Sequence, residues 1–213
     1  MTSIATNIAA ARAGLGSIVL VAVTKTQGIE VIREALGAGQ RVFGENRVQE
    51  AQKKFLPLKQ EFPDIKLHLI GPLQTNKAKD AVELFDVIET LDRPELAEAL
   101  AKAIRKSGKT PQLYIEVNIG LEPQKSGIAP DKVGAFLAAC RETYGLSITG
   151  LMCIPPQNKN PHSYFCSMRD LAKSFSLPHL SMGMSEDFMD AAACGATEVR
   201  LGTALFGKRE IAL

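Results

Sequence analysis

Three places in the chain carry side chains suited to covalent or anion chemistry. Lys25 stands two residues past the apolar run VLVAV, Val19 to Val23, and a partly desolvated primary amine at the edge of a buried element can attack a carbonyl. SMGMSED, Ser181 to Asp187, and LGTALFG, Leu201 to Gly207, each put small and hydroxyl residues where a strand pattern gives way to a helix pattern. In those loops Ser185, Gly202 and Thr203 offer amides and hydroxyls to an anion. Arg200, just ahead of the second loop, adds a permanent positive charge. Each feature has a plainer reading: Lys25 emerging into solvent and Ser185 as a simple helix cap.

The elements that would position these groups alternate from end to end. A run as continuous as Val19 to Val23 suits a parallel strand covered on both faces, and RVFGE, KLHLIG, FDVIE, QLYIEVN, LSITGLM, LPHLSM and TEVRLG supply seven further strand patterns. Between them the spacing predicts helices over Ile29–Leu36, Asn46–Phe55, Lys77–Leu84, Pro94–Lys106, Pro130–Tyr144, Ser163–Phe175 and Ser185–Cys194. Asp92 is the expected N-cap of the Pro94 helix and Gly108 its exit. Eight β-then-α units without a linker point to a single closed (β/α)8 barrel over residues 1–213, with a doubly wound open sheet as the competing fold. In such a barrel the loops at the carboxyl ends of the strands form the active face, and closure makes the first strand a neighbour of the eighth. Lys25 would then face Arg200, Gly202 and Thr203.

Composition narrows the partners. The 213 residues are 46% hydrophobic and 23% charged with a net charge of only +2, so neither nucleic acid nor an anionic membrane is called for. The stretch to Leu15 is alanine-rich and interrupted by Arg12, and the run Ile18 to Val23 is far too short to span a bilayer. Cys140, Cys153, Cys166 and Cys194 show no CxxC spacing, which favours reduced thiols in a cytoplasmic protein over disulfides or zinc ligands. A lysine at the first strand and an anion cradle at the last two suit a cofactor bearing an aldehyde and a phosphate. Pyridoxal 5′-phosphate has both, with Lys25 as its Schiff-base partner.

The motifs VAVTKT, GQRVFGENRVQEA, LHLIGPLQTNKAK, IETLDRPELA, EVNIGLEPQKSGI, GLMCIPP, LSMGMSEDFMDA and GATEVRLGTALFG run in order through nearly the whole chain, and in them the sequence resembles the pyridoxal phosphate homeostasis proteins. The resemblance implies a barrel of the alanine racemase N-terminal domain type, with the cofactor held as an aldimine on Lys25. It also implies phosphate contacts from Ser185, Gly202 and Thr203, Arg200 at the pyridine nitrogen, and Asn46, Met152 and Ser181 lining the pocket. Lys125, in PQKSG, matches a second lysine implicated in cofactor exchange, against the plainer reading of a solvated loop lysine. Arg47 and Leu67 stand where the family more often has tyrosine and tryptophan, and the crossover around Gln157 to His162 looks trimmed.

An arginine at the pyridine nitrogen keeps that nitrogen unprotonated and the ring a poor electron sink. Racemases tolerate this but need a second base, which alanine racemase takes from a tyrosine of a further domain; this chain is expected to end at Leu213, directly after the eighth strand. Tyr114, Tyr144 and Tyr164 are poorly placed to substitute, and His68, inside a strand, reads as a satisfied core histidine. The expectation is a monomeric carrier without robust turnover that serves pyridoxal 5′-phosphate-dependent apo-enzymes and amino-acid and keto-acid balance. The alternatives are a weak racemase or lyase, and a barrel enzyme that binds phosphate without the aldimine.

Overall fold

Apolar strands such as Val19–Val23 need cover on both faces, and the chain provides it by rolling its sheet shut and laying helices around it. The computed structural model describes residues 3–157 and 159–207, so both ends of the expected 1–213 domain fall outside the described residues. Eight parallel strands form the closed barrel: β1 Val19–Val23, β2 Val42–Glu45, β3 Lys66–Leu69, β4 Val87–Leu91, β5 Gln112–Val117, β6 Ile148–Cys153, β7 His179–Ser181 and β8 Glu198–Leu201. β1 pairs with β8 in the register Val21 with Arg200 and Ala22 with Leu201. The closed barrel is therefore the fold, and the open sheet is not.

The helices are α1 Ile4–Ala13, α2 Ile29–Gly37, α3 Val48–Glu61, α4 Ala78–Leu84, α5 Pro94–Ser107, α6 Val133–Glu142, α7 His162–Ser174, α8 Phe188–Ala193 and α9 Thr203–Phe206. Helix α1 is one that the sequence pattern did not single out, because its alanine-rich run commits a single wholly buried residue, Ile8, to the core. Ser3 caps it by accepting a hydrogen bond from the Thr6 amide, and Asn7 donates from Nδ2 to Leu205 O at 2.9 Å, joining the two ends of the fold. α5 exits through Gly108 at φ 71° as expected, but its N-cap position is Arg93, and Asp92 pairs with the Arg93 guanidinium instead of capping.

Two kinds of interior result. The outward faces of the strands and the inward faces of the helices make an apolar shell, in which Phe43 of β2 meets Phe55 of α3 with ring centroids 5.5 Å apart. The barrel axis carries a polar network beside Val21 and Met152, with side chains of non-neighbouring strands bonding across it: Ser181 of β7 to Glu89 of β4, and Tyr114 of β5 to Glu198 of β8, each at 2.6 Å.

The cysteines need a correction. Cys166 on α7 and Cys194 at the end of α8 form a disulfide, with Cα atoms 5.1 Å apart, while Cys140 and Cys153 remain buried free thiols. The pair is brought together by packing of α7 on α8, which local spacing does not reveal. Burial pushes the Cys140 and Cys153 thiols up to about 12, so both are inert at neutral pH.

Candidate functional site

Lys25 lies half-buried in the turn that leaves β1, and that turn is tightly determined. Gln27 N donates back to Thr24 O at 3.0 Å, and Thr26 holds φ at 64°, a left-handed conformation costly for a β-branched residue. Its amide donates to Glu50 Oε1 at 2.6 Å, and Lys54 Nζ reaches in from α3 to Thr24 O at 2.8 Å and to Glu45 and Glu50 at 2.6 and 2.8 Å. Burial pushes the Glu45 carboxyl up even though Lys54 and Thr24 stabilise its charge. A partly buried salt-bridge cluster beneath the turn thus fixes the backbone that carries Lys25.

β8 delivers the other half. A Cβ built on Gly202 would stand 3.5 Å from both Cβ and O of Val23, so the loop after β8 lies directly beside the strand that ends in Lys25. Ser185 Oγ accepts from the amides of Gly202 and Ala204 at 3.4 and 3.2 Å, which unites the loops after β7 and β8 into one group of hydroxyl and amides. Thr203 is exposed at its rim. Gly183 makes this return possible: its φ is 91°, and a Cβ there would fall 2.5 Å from that of Ala191. Ser185 does not begin α8 as the pattern suggested. The helix starts at Phe188, and Asp187 accepts from Met184 N at 2.6 Å within the intervening turn.

Arg200 points into the barrel, 4% exposed. Its Nη1 donates to Ser181 Oγ at 2.7 Å and its Nη2 to Cys153 O at 2.9 Å. Ser181 in turn donates to Glu89, whose other oxygen pairs with His68 Nδ1 at 2.7 Å. Burial opposes charge on both members of that pair, yet their mutual hydrogen bond and attraction outweigh it, raising His68 and lowering Glu89 from their ordinary ranges. His68 is the satisfied core histidine expected of it. Met152 pairs in register with Ser181 on one side and Glu116 on the other. Burial, with Asp92 and Glu89 nearby, pushes Glu116 up to about 7 against the pull of Arg200.

Asn46 follows β2 and keeps a buried Oδ1 without a hydrogen-bond partner. Gly71 packs on its backbone so closely that a Cβ would fall 2.5 Å from Asn46 O. Lys125 is no solvated loop lysine: Nζ binds Glu122 at 2.5 Å and Pro155 O at 3.0 Å, tying the loop after β5 to the end of β6. Lys25, Ser185, Arg200, Gly202 and Thr203 thus belong to one corner of the barrel's carboxyl end, with Ser181 and Met152 beneath, while Lys125 belongs to the neighbouring loops. Glu89, Glu116 and Lys54 also stand in or beneath this corner, and the sequence pattern does not single them out. A lone charge in each of the strands VIETL and QLYIEV was the available signal for the first two. A cavity of about 690 Å³, lined by Lys66, Gln112, His179 and Glu198 among others, opens at the opposite end of the barrel, where the strands begin.

Residues 1–210 match the family model of the alanine racemase N-terminal domain. The pyridoxal phosphate homeostasis protein of Aquifex aeolicus is 42% identical over 200 residues, covering 90% of this chain and 87% of that protein. Its Escherichia coli K12 counterpart is 39% identical over 204 residues, covering 91% and 86%. PipY of Synechococcus elongatus PCC7942, solved with pyridoxal phosphate bound, superposes with a TM-score of 0.88 at 40% identity, covering 96% of this chain and all of that one. An alanine racemase of Clostridium difficile shares the fold alone, at 15% identity and a TM-score of 0.76. The barrel closure, the motif order and these relatives converge: the chain belongs to the pyridoxal phosphate homeostasis family, within the alanine racemase N-terminal domain group.

Proposed function

We propose that this chain holds pyridoxal 5′-phosphate reversibly at the carboxyl end of its barrel and serves its supply without robust turnover. The reading is carried by the β1–β8 pairing, which sets the Lys25 turn beside the Gly202 loop and Ser185. The residues fit such a group. Gly202 and Ala204 amides already converge on a hydroxyl oxygen, the position of an anion's acceptor atoms. Arg200 is a donor held in place by Ser181 and Cys153 O, suited to an aromatic nitrogen that only accepts. Asn46 brings a buried acceptor with spare capacity.

When bound, the cofactor supplies an aldehyde that condenses with a primary amine. Lys25 is the amine that its turn fixes in place, Ser185, Gly202 and Thr203 hold the phosphate, and Met152 and Ser181 line the ring side. Arg200, always charged, leaves the ring nitrogen unprotonated and so limits electron withdrawal. Tyr114 and His68 do not supply a second base: Tyr114 donates to Glu198 at 2.6 Å and burial raises it further from ionisation, while His68 is held by Glu89. The curated relatives carry homeostasis names, and no described helix is long and apolar enough to cross a membrane. We read the chain as one domain over residues 1–213, a cytoplasmic monomer passing cofactor to apo-enzymes, with Lys125 aiding exchange.

The test is the visible absorption of the chain titrated with pyridoxal 5′-phosphate, together with α-proton exchange of amino acids in deuterated water. The expected result is a protein-bound chromophore that Lys25→Ala lacks, and no exchange above the free cofactor's rate. An unchanged chromophore in Lys25→Ala overturns the attachment; rapid exchange overturns the carrier role.

A further inference from the structure

Helix α7 presents His162 and Cys166 four residues apart on one face, and Cys194, just past α8, closes against them. His162 Nε2 stands 3.6 Å from Cys166 Sγ and 3.8 Å from Cys194 Sγ, and its Nδ1 lies 3.6 Å from Cys194 Sγ. A tetrahedral zinc ion, with bonds of about 2.0–2.1 Å to nitrogen and 2.3 Å to sulfur, separates its nitrogen and sulfur ligands by about 3.6 Å. Nε2 is therefore nearly equidistant from both sulfurs at the nitrogen–sulfur spacing such an ion imposes, while the sulfurs, bonded to each other, must part to admit it. Exposure is graded across the group: Cys194 is 1% exposed, Cys166 half-buried and His162 exposed. The ligand set has a buried wall and an open side.

We propose that His162, Cys166 and Cys194, once the disulfide is opened, form a site for a thiophilic divalent cation of the zinc class. Solvent supplies the fourth ligand on the His162 side. Opening exchanges the protein disulfide with a dithiol, giving two protein thiols and the reductant's disulfide. Metal capture then displaces one proton from each thiol, and His162 binds through a neutral nitrogen. The disulfide is the oxidised, metal-refusing state of the same three residues. The other such group among the described residues, His68 with Glu89 and Glu198, makes no such case, because its histidine and Glu89 already form a hydrogen-bonded pair inside the barrel.

Cobalt(II) is the probe, since its thiolate complexes absorb and zinc bleaches them. The full chain is reduced with a phosphine, freed of it, and titrated with Co²⁺ and then Zn²⁺, beside the oxidised chain and the variants Cys166→Ser and His162→Gln. One Co²⁺ per chain is expected, with thiolate-to-cobalt charge transfer that one Zn²⁺ abolishes. The oxidised chain and Cys166→Ser show no such band, and His162→Gln, which loses a ligand, binds more weakly by at least the roughly 10–100-fold that loss of a ligand's supporting partner costs. Circular dichroism checks that both variants are folded, and the oxidised and reduced wild type give the same contrast without any substitution. A reduced chain without the band, an equal band from Cys166→Ser or from the oxidised chain, unaltered affinity in His162→Gln, or a disulfide that the folded chain does not yield to reductant overturns the proposal.

Discussion

The shell between sheet and helices and the axis inside the sheet are both buried, yet they are built from opposite materials. The shell is aliphatic and aromatic, as where Phe43 meets Phe55, and its stability depends on volume and contact. The axis carries His68, Glu89, Ser181 and Arg200 in one hydrogen-bonded line, with Tyr114 bonded to Glu198 beside it, so its stability depends on charge and pairing. The barrel combines the two because backbone pairing closes on itself and the apolar shell packs around it, leaving the interior positions to a paired polar network. The interior is then available to orient a cation such as Arg200 toward the open end.

Substitutions should separate the two. Phe55→Ala is expected to cost about 3–5 kcal/mol in urea unfolding, equally at every pH, and to leave pyridoxal 5′-phosphate binding by the folded chain unchanged. Glu89→Gln is expected to cost about 3 kcal/mol at pH 6, where it leaves the His68 charge with only the more distant Glu198 at 3.8 Å, and less at higher pH as His68 sheds its proton. If its cost proves as flat with pH as that of Phe55→Ala, the axis is not held by charge.

The wild-type pH dependence sharpens the point. His68 is raised in the folded state, so its pairing stabilises fully below the ordinary imidazole value of about 6.5 and is lost as pH rises through the raised one. Imidazole resonances followed by NMR should show His68 still protonated when exposed histidine has titrated. Asp86, on the shell's edge, runs the other way. Burial raises it, but Lys59 at 2.7 Å and the Leu67 amide outweigh that and hold it low, so its contribution is present above the ordinary carboxylate range and fades as pH falls through the lowered value. Asp86→Asn should remove about 1–3 kcal/mol at pH 7 and little at pH 3. The smallest stability effect belongs to Ser185→Ala, expected within about 1 kcal/mol by unfolding while cofactor affinity falls roughly tenfold, or about 1.4 kcal/mol.

The same contrast governs what the sequence discloses. Shell positions repeat at strand and helix periods, so all eight strands and the barrel follow from one chain. The adjacency of the Lys25 turn and the loop after β8 was legible too, because closure alone makes the end of β1 a neighbour of that loop. Axis residues are single polar letters inside strands, and their partners sit on non-neighbouring strands, which no local pattern encodes. Glu89 bonding Ser181 across 92 positions is such a pair. Ser185 looked like a helix cap because its neighbours are turn formers, but the tight return at Gly183 turns it to the next loop instead. The Cys166–Cys194 link and Lys54 beneath the Lys25 turn are likewise products of tertiary packing.

The most direct measurement is reductive trapping: the chain loaded with pyridoxal 5′-phosphate is treated with borohydride, digested, and the pyridoxyl-bearing peptide sequenced by mass spectrometry. Label on Lys25 is the predicted result. Label principally on Lys125 or any other lysine would contradict the placement of the cofactor at the β1–β8 corner.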